Sequence, residues 1–226
     1  MPSSVVHVAF AFLLAVGLLG RFYDRRALAV VLVVVLFPEL DTALGWFMIG
    51  AHRTVLHNVV FPAVAAVALY WDSTRDGSWI RGRWGDRGVR IAWVGLFVHT
   101  FAHVALDWAH LEGINFLWPL HDQFFNLDGE LALSTTDGFV QTFVDISRDP
   151  ETGSGVIDAG QGGTRAETHV ANPAQPSADP DPGPVDRRFP IAVRGWQLYL
   201  VCLGAFTLLA KRFQNPRPSE AENRRE

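Results

Sequence analysis

Apolar stretches with almost no charge constrain the fold of this chain more than any other feature of its sequence. Five of them supply all or part of the ~20 apolar residues that a membrane-spanning helix needs, and they cover residues 3–20, 27–36, 54–71, 90–109 and 195–210. We therefore predict an all-α integral membrane protein, a bundle of about five transmembrane helices. Pro38 leaves open whether the second helix is kinked and continues to about Gly50, or turns back at the proline and reduces the count to four.

The distribution of basic residues predicts how these helices are oriented. One cluster follows the first stretch, another lies between the third and the fourth, and the last follows the fifth; they cover residues 21–26, 75–90 and 211–225. Basic residues accumulate on the cytoplasmic side of membrane proteins. We therefore expect a multi-pass plasma membrane protein with its N-terminus outside and all three clusters in the cytoplasm, so that residues 110–190 are extracytoplasmic.

This outer segment has a different character from the rest of the chain. Residues 130–134 and 139–146 alternate between apolar and polar around residues 135–138, which predicts a small β-hairpin. The following residues are rich in Gly, Pro, Ala and Asp and cannot bury enough apolar area to become ordered. The predicted parts are a membrane-embedded helical domain (1–125), an extracytoplasmic hairpin (126–146), a disordered acidic linker (147–190), a C-terminal transmembrane helix (191–212) and a cytoplasmic tail (213–226).

The composition excludes several classes of protein. A formal net charge of -4 argues against a nucleic-acid binder. The single cysteine, Cys202, excludes an internal disulfide framework and a cysteine-based zinc ribbon. The chain has 18 arginines but one lysine, Lys211, together with an excess of acidic residues, a composition typical of proteins from halophiles.

Ionisable residues inside the predicted spans are costly to bury and are therefore candidates for function. His103 and Asp107 are four residues apart, so they project from the same helix face, one turn apart. Such a pair can bind one divalent cation, or the carboxylate can orient the imidazole. The alternative is a hydrogen-bonded pair that joins two helices. His7, near the start of the first stretch, is either a ligand or an ordinary core histidine.

Further candidates flank the second and third apolar stretches. Asp41 follows Pro38 closely, and it either turns into the protein interior as a ligand or caps the segment that begins at Thr42. His57 lies on the first turn of the third predicted span, and His52 immediately precedes that span. These positions predict that all three ionisable side chains lie near the outer ends of their helices.

Arg53, between the two histidines, is a fixed cation that suits a phosphate or a carboxylate, or that anchors the chain at the interface. The predicted topology brings the ionisable side chains to one depth on one side of the membrane. This shared level predicts one metal site, with ligands drawn from His7, Asp41, His52, His57, His103 and Asp107. Because these ligands are nitrogen and oxygen, zinc is the first choice, and manganese or another divalent ion stays open.

The order of these motifs resembles the YdjM-like family of membrane-bound metal-dependent hydrolases, over roughly residues 1–125. The motifs are His7, Pro38-Glu-Leu-Asp41, His52-Arg-Thr-Val-Leu-His57, His103-Val-Ala-Leu-Asp107 and Leu117-Trp-Pro119. The resemblance implies a metal-dependent hydrolase site in a helical membrane domain. The family is distantly similar to the zinc-dependent phospholipase C and P1 nuclease class, which implies a phosphoester substrate.

The chain departs from the family pattern in three places. Glu39 replaces the first Asp of the usual element, and the His-x-x-x-Glu element of the phospholipase C class has no clear counterpart. The insertion at residues 126–190 lies outside the resemblance.

Together these residues predict a membrane-bound metal-dependent hydrolase. A divalent ion would lower the pKa of its water and polarise the scissile group. Asp41 or Asp107 would be a ligand or general base, and Arg53 would steady an anionic substrate. Since the site lies at the membrane surface, we expect membrane lipids as partners and a lipid-like or phosphoester substrate. The alternatives are a non-catalytic transport or ion-relay protein that uses the same buried residues, and a purely structural polar network.

Overall fold

The computed structural model describes residues 3–110, 112–149, 152–168, 170 and 189–214. The helices are α1 (Ser4–Leu18), α2 (Arg25–Leu36), α3 (Asp41–Leu44), α4 (Val60–Thr74), α5 (Trp79–Val98), α6 (Ala105–Trp108) and α7 (Gly195–Gln214). The strands are β1 (Ile114–Asn115), β2 (Phe124–Phe125), β3 (Leu131–Ser134), β4 (Gly138–Gln141), β5 (Asp145–Arg148) and β6 (Gly155–Asp158).

Two of these helices continue beyond their regular α-helical part. Helix α2 passes through a 3₁₀ turn at Phe37–Leu40 into α3, and α5 passes through a π-helical turn at His99–Val104 into α6. Pro38 has no N–H to donate, and the helix tightens at this proline instead of turning back. The resulting segments, Arg25–Leu44 and Trp79–Trp108, contain 20 and 30 residues, and both are long and apolar enough to cross a membrane. The second is kinked at Gly85, whose φ of 65° is not helical.

Small and β-branched residues form the core between α1, α2 and the α5–α6 helix. Its buried members are Ala11, Ala15, Leu19, Ala27, Val31, Val35, Val94, Val98 and Ala102. Helix α7 packs along α1, and Gly204 lies against the backbone of Ala9. A Cβ atom at Gly204 would lie 2.6 Å from the Ala9 carbonyl oxygen, so this close approach requires glycine, as is common where apolar helices pack.

Basic residues from separate elements lie at the same end of the helices. Arg87 of α5 forms an ion pair with Asp24, with Nη1 2.6 Å from Oδ2, and Asp24 also caps α2. The hydrogen bond from Arg87 lowers the pKa of Asp24 to about 2. Lys211 of α7 lies over the ring of Tyr23, which follows α1. Described residues from each of the three basic clusters therefore lie at one end of the molecule.

Asp72 joins α4 to α5 by capping the start of the second helix. Its carboxylate accepts hydrogen bonds from the N–H groups of Trp79 and Ile80, at 2.9 and 3.1 Å, and from the Ser78 hydroxyl at 2.9 Å. These bonds, that of Trp79 first, lower the pKa of Asp72 to about 2. The carboxylate thereby satisfies N–H groups that have no partner within the helix.

Three two-stranded antiparallel sheets lie between α6 and α7: β1 pairs with β2, β3 with β4 and β5 with β6. The turn between β3 and β4 lies where the alternation of the sequence predicts a hairpin. A later segment extends the first sheet, because Phe124 donates to the Gly163 carbonyl and accepts from the Gly162 N–H. The structure describes residues 152–168 and 170 of the segment predicted to be a disordered linker. Residues 171–188 of that segment lie outside the described residues.

The prediction of an all-α bundle of about five transmembrane helices is wrong. In the part of the chain that the structure describes, two helices are long and apolar enough to cross a membrane, and six short strands accompany the helices. Hydropathy locates apolar stretches but not the helical length within them. Helix α1 has 15 residues, or about 22 Å at 1.5 Å per residue, which is less than the ~30 Å hydrocarbon core. The third stretch becomes helical only at Val60, and polar residues at both ends of α7 lower its hydropathy.

Candidate metal centre

Four buried side chains from separate parts of the chain converge on one point. His7 lies on α1, His57 in the loop before α4, His103 on the π-helical turn and Asp107 on α6. Each is at most 3% exposed. The Nε2 atoms of His57 and His103 are 2.8 Å apart. The Asp107 carboxylate lies 3.3 Å from His57 Nε2, 3.5 Å from His7 Nε2 and 3.7 Å from His103 Nε2. These four residues are called the His/Asp cluster below.

Local helix structure brings the members of the cluster to the same level. Ser3 caps α1 by accepting from the Val6 N–H, so the helix begins one turn before His7. The π-helical turn widens the helix at His103, and Asp107 follows one turn later, on the same side. The first turn of one helix therefore faces the last turns of another.

Backbone carbonyl groups fix the orientation of two of the imidazole rings. His7 Nδ1 lies 2.8 Å from the Ala102 carbonyl oxygen, and His103 Nδ1 lies 2.6 Å from the Val35 carbonyl oxygen. Because a carbonyl oxygen only accepts hydrogen bonds, each Nδ1 carries a proton, and in the neutral ring Nε2 presents a lone pair toward the cluster. The Val35 carbonyl belongs to the turn before Pro38, which has no N–H to donate to that turn.

Asp41 holds the third ring in the same manner. Its Oδ2 lies 2.7 Å from His57 Nδ1, and its Oδ1 lies 2.8 Å from His52 Nδ1. Asp41 is fully buried, and His52 is 3% exposed. The Nδ1 proton of His57 therefore points to Asp41, and Nε2 points into the His/Asp cluster.

The geometry of the cluster suits a bound cation. Two unprotonated nitrogens at 2.8 Å repel each other unless a proton or a cation lies between them. The ligand atoms of His7, His103 and Asp107 lie within 4.8 Å of one another, and those of Asp41, His52 and His57 form a second such group. Zinc–nitrogen bonds of ~2.0–2.1 Å in a tetrahedral site place ligand atoms about 3.3 Å apart, which is close to the separations within the cluster.

The charges of the buried groups also leave room for a cation. Asp41 and Asp107 contribute two negative charges, and the fully buried Arg53 contributes one positive charge. With neutral histidines, the buried group carries one net negative charge, and an uncompensated buried charge is costly. A proton on His57 would neutralise this charge, and a divalent cation would change it from -1 to +1.

Arg53 lies inside the protein next to Asp107. Its Nη2 donates to Asp107 Oδ1 at 2.9 Å, and its Nη1 donates to the Gly113 carbonyl oxygen at 3.1 Å. Its Nε has no hydrogen-bond partner among the described residues. The backbone of Arg53 has φ +60°, a strained value for a residue with a side chain. Glu112, whose side chain is 48% exposed, places Oε2 3.6 Å from Nη1 and connects the buried guanidinium to the surface.

The six ligand residues predicted from the sequence all lie in this region, but in two groups. His7, His103 and Asp107 form one group, and Asp41, His52 and His57 form the other. His57 joins the two, because its Nδ1 faces Asp41 and its Nε2 lies 2.8 Å from His103 Nε2. Arg53, expected to meet an anionic substrate, is buried against Asp107. Sequence reasoning missed Glu112 and the carbonyl groups of Val35 and Ala102. For the Val35 carbonyl, the one sequence signal is Pro38, three residues later, which has no N–H to donate.

Two helices long and apolar enough to cross a membrane, together with the buried His/Asp cluster, are features expected of a membrane protein with a potential metal site. The chain belongs to the YdjM inner membrane protein family, whose model matches residues 1–164. The family predicted from the motifs is thereby confirmed, and its match extends past residue 125 to include β1–β6. Comparison with curated proteins and with solved structures finds no significant match.

Proposed function

We propose that this protein is a membrane-bound metal-dependent hydrolase whose divalent cation is held by His7, His57, His103 and Asp107. The observation that carries the proposal is the convergence of three imidazole Nε2 atoms on one buried carboxylate. Nitrogen and oxygen ligands make zinc the first choice. A cation in such a site supplies an acidified water molecule and polarises the group to be hydrolysed.

Arg53 prepares the carboxylate and offers a donor to the substrate. It engages Asp107 Oδ1, which leaves Oδ2, the oxygen nearest to His57 and His103, for the cation. The Nε–H group lies on the same edge of the guanidinium as Nη2, is buried and has no partner among the described residues. A negatively charged oxygen beside Asp107 would accept this hydrogen bond, so the proposed substrate carries an anionic group such as a phosphoester.

The surroundings of the site favour a substrate that resides in the membrane. Trp46, Phe47 and Ile49 are 64%, 87% and 73% exposed, and they lie between α3 and His52. They continue the apolar surface of the Arg25–Leu44 helix toward the site. Membrane lipids are the natural neighbours of such a surface, and we assign a phospholipid-like phosphoester as the substrate class.

The test uses full-length protein purified in detergent. About one zinc or manganese ion per chain is expected by mass spectrometry of the metals, because one cluster converges. Hydrolysis of a phosphatidic acid or phosphatidylcholine probe in mixed micelles should disappear after chelation and return with the metal. His121→Ala, which changes an exposed histidine, should retain both metal and activity. Protein without stoichiometric metal after reconstitution contradicts the proposal, whereas bound metal without hydrolysis of either lipid contradicts the substrate class.

We also propose that the basic end of the helices faces the cytoplasm and that the His/Asp cluster lies toward the opposite side. Support comes from described residues of the three basic clusters, because Arg87 pairs with Asp24 and Lys211 covers Tyr23 at the same end of the helices. His7 is on the first turn of α1, whereas Tyr23 follows the last turn.

Cysteine labelling on intact cells tests this orientation. In a Cys202→Ser background, Ser154→Cys is expected to react with a membrane-impermeant maleimide, since residue 154 is exposed in the β-strand region. Asp76→Cys, in the exposed connection between α4 and α5, should react only after the cells are lysed. The reverse pattern of labelling contradicts the proposed orientation.

A further inference from the structure

Asp41 lies between two histidine rings instead of facing the point where the His/Asp cluster converges. We infer that Asp41 is a positioning residue, which fixes the ring of His57 from behind, and that His52 in turn holds Asp41. This inference rests on the proposed function, and it removes Asp41 and His52 from the set of groups that bind the cation. It predicts one cation per chain.

Each oxygen of Asp41 accepts a hydrogen bond from a histidine ring. Oδ2 is 2.7 Å from His57 Nδ1, and Oδ1 is 2.8 Å from His52 Nδ1. An ionised carboxylate only accepts hydrogen bonds, so both rings donate through Nδ1. Because the Nδ1 proton of His57 is donated to Asp41, the lone pair of the neutral ring lies on Nε2. This Nε2 faces His103 Nε2 at 2.8 Å. A carboxylate behind a ligating imidazole fixes its tautomer and raises its basicity.

His52 is a support for Asp41 and not a further ligand of the cluster. Its ring stands nearly perpendicular to that of His57, at 80°, with the ring centroids 5.2 Å apart. Its Nδ1 also lies 3.4 Å from the Thr42 hydroxyl. The two rings thus donate to the carboxylate from different directions. Rotation of the Asp41 side chain would break at least one of these two hydrogen bonds.

A second cation held by Asp41, His52 and His57 is the competing interpretation of this group. It would require His57 to lose its Nδ1 proton and to bind one cation through each nitrogen. It would also bring the net charge of the buried groups to +2 if both cations are divalent and His57 is an imidazolate, whereas one divalent cation brings it to +1. The hydrogen-bonded arrangement pairs both Asp41 oxygens with the Nδ1 atoms of the two rings without either cost, so the structure favours one cation.

Asp41→Asn tests the positioning role through metal affinity. An asparagine can accept from one ring but presents its N–H₂ to the other, so one ring must move its proton to Nε2. Zinc affinity, measured by competition with a chelating dye, is expected to fall about 10–100-fold, while one zinc still binds at saturation. Complete loss of zinc would place Asp41 among the ligands, and two zinc ions in the wild type with one in Asp41→Asn would establish the second cation site.

A pair of variants at His52 supplies a readout that a purely structural role would not give. The amide of asparagine can place a donor where His52 has Nδ1, so His52→Asn should retain near wild-type zinc affinity. His52→Leu removes the donor and should weaken zinc binding, by less than Asp41→Asn does. Equal affinities for the two variants contradict the support that we assign to His52.

The tautomer of His57 can be measured in metal-free protein, independently of the hydrolase proposal. The ¹⁵N NMR spectrum of histidine-labelled wild-type protein is expected to show His57 protonated at Nδ1, and Asp41→Asn should change this signal. A wild-type His57 protonated only at Nε2 overturns the inference even if the protein binds zinc. Conversely, failure of the wild type to bind zinc contradicts the proposed function, and the Nδ1 signal still decides whether Asp41 positions His57.

Discussion

His103→Ala is expected to lower the affinity of the protein for zinc by more than about 100-fold, because loss of a group that only supports a ligand already costs about 10–100-fold. The substitution removes the Nε2 atom that lies 2.8 Å from that of His57. It also removes the hydrogen bond to the Val35 carbonyl, but the apolar surface of the helices is unchanged, so the protein should remain in the membrane. Isothermal titration of metal-free protein, together with metal analysis after dialysis, measures the effect.

The matched control for this experiment is His121→Ala. His121 is exposed and lies outside the cluster, so its removal should leave zinc affinity unchanged. Circular dichroism of both variants checks that the helices are retained. If His103→Ala binds zinc as tightly as the wild type while folded, the convergence of imidazole rings on Asp107 has another purpose, such as a polar network that joins α1 to the α5–α6 helix.

Arg53→Met is expected to lower the free energy of unfolding of the metal-free protein by about 3–5 kcal/mol, the cost of removing one partner from a buried ion pair. Arg53 and Asp107 are almost completely buried, and their nearest atoms are 2.9 Å apart. Methionine preserves much of the side-chain volume but leaves the Asp107 carboxylate without its cation. Equilibrium unfolding in detergent micelles measures the difference.

Zinc provides a second test of the same ion pair. A cation bound beside Asp107 replaces part of the lost positive charge, so the destabilisation by Arg53→Met should be smaller with saturating zinc than without it. Arg81→Met is the control, because Arg81 pairs with Asp86 at the surface, where such a pair contributes less than about 1 kcal/mol. Equal losses for the two variants would mean that the buried pair contributes no more than the exposed one.

The sequence was sufficient to find the ionisable residues that lie together, because helix periodicity and motif order limit where they can be. His103 and Asp107, four residues apart, face one side of a helix, and topology brings His7 and His57 to their level. The structure indeed places the His57 and His103 ring centroids 4.7 Å apart. Periodicity does not predict the orientation of each histidine ring. That orientation depends on backbone acceptors such as the Val35 carbonyl, which no side-chain pattern reveals.

The length of the helices and the pairing of the strands could not be predicted from sequence patterns. The loop before Val60 is apolar enough to resemble the start of a span, but it is not helical. Its buried polar residues His52, Arg53 and His57 bind partners that are distant in sequence. Phe124 pairs with residues 162 and 163, which are almost forty positions later and separated from it by two hairpins. Such non-local pairing has no local pattern that could predict it.

The hydrogen bond between His103 and the Val35 carbonyl has a mechanical consequence for the two helices that can cross a membrane. Val35 belongs to one of them and His103 to the other, and their atoms are 2.6 Å apart. Sliding one helix along the other by one turn, about 5.4 Å, would stretch this contact beyond the range of a hydrogen bond. The ring of His103 would then be free to rotate away from Asp107. The position of the two helices along each other is in this way coupled to the geometry of the cluster.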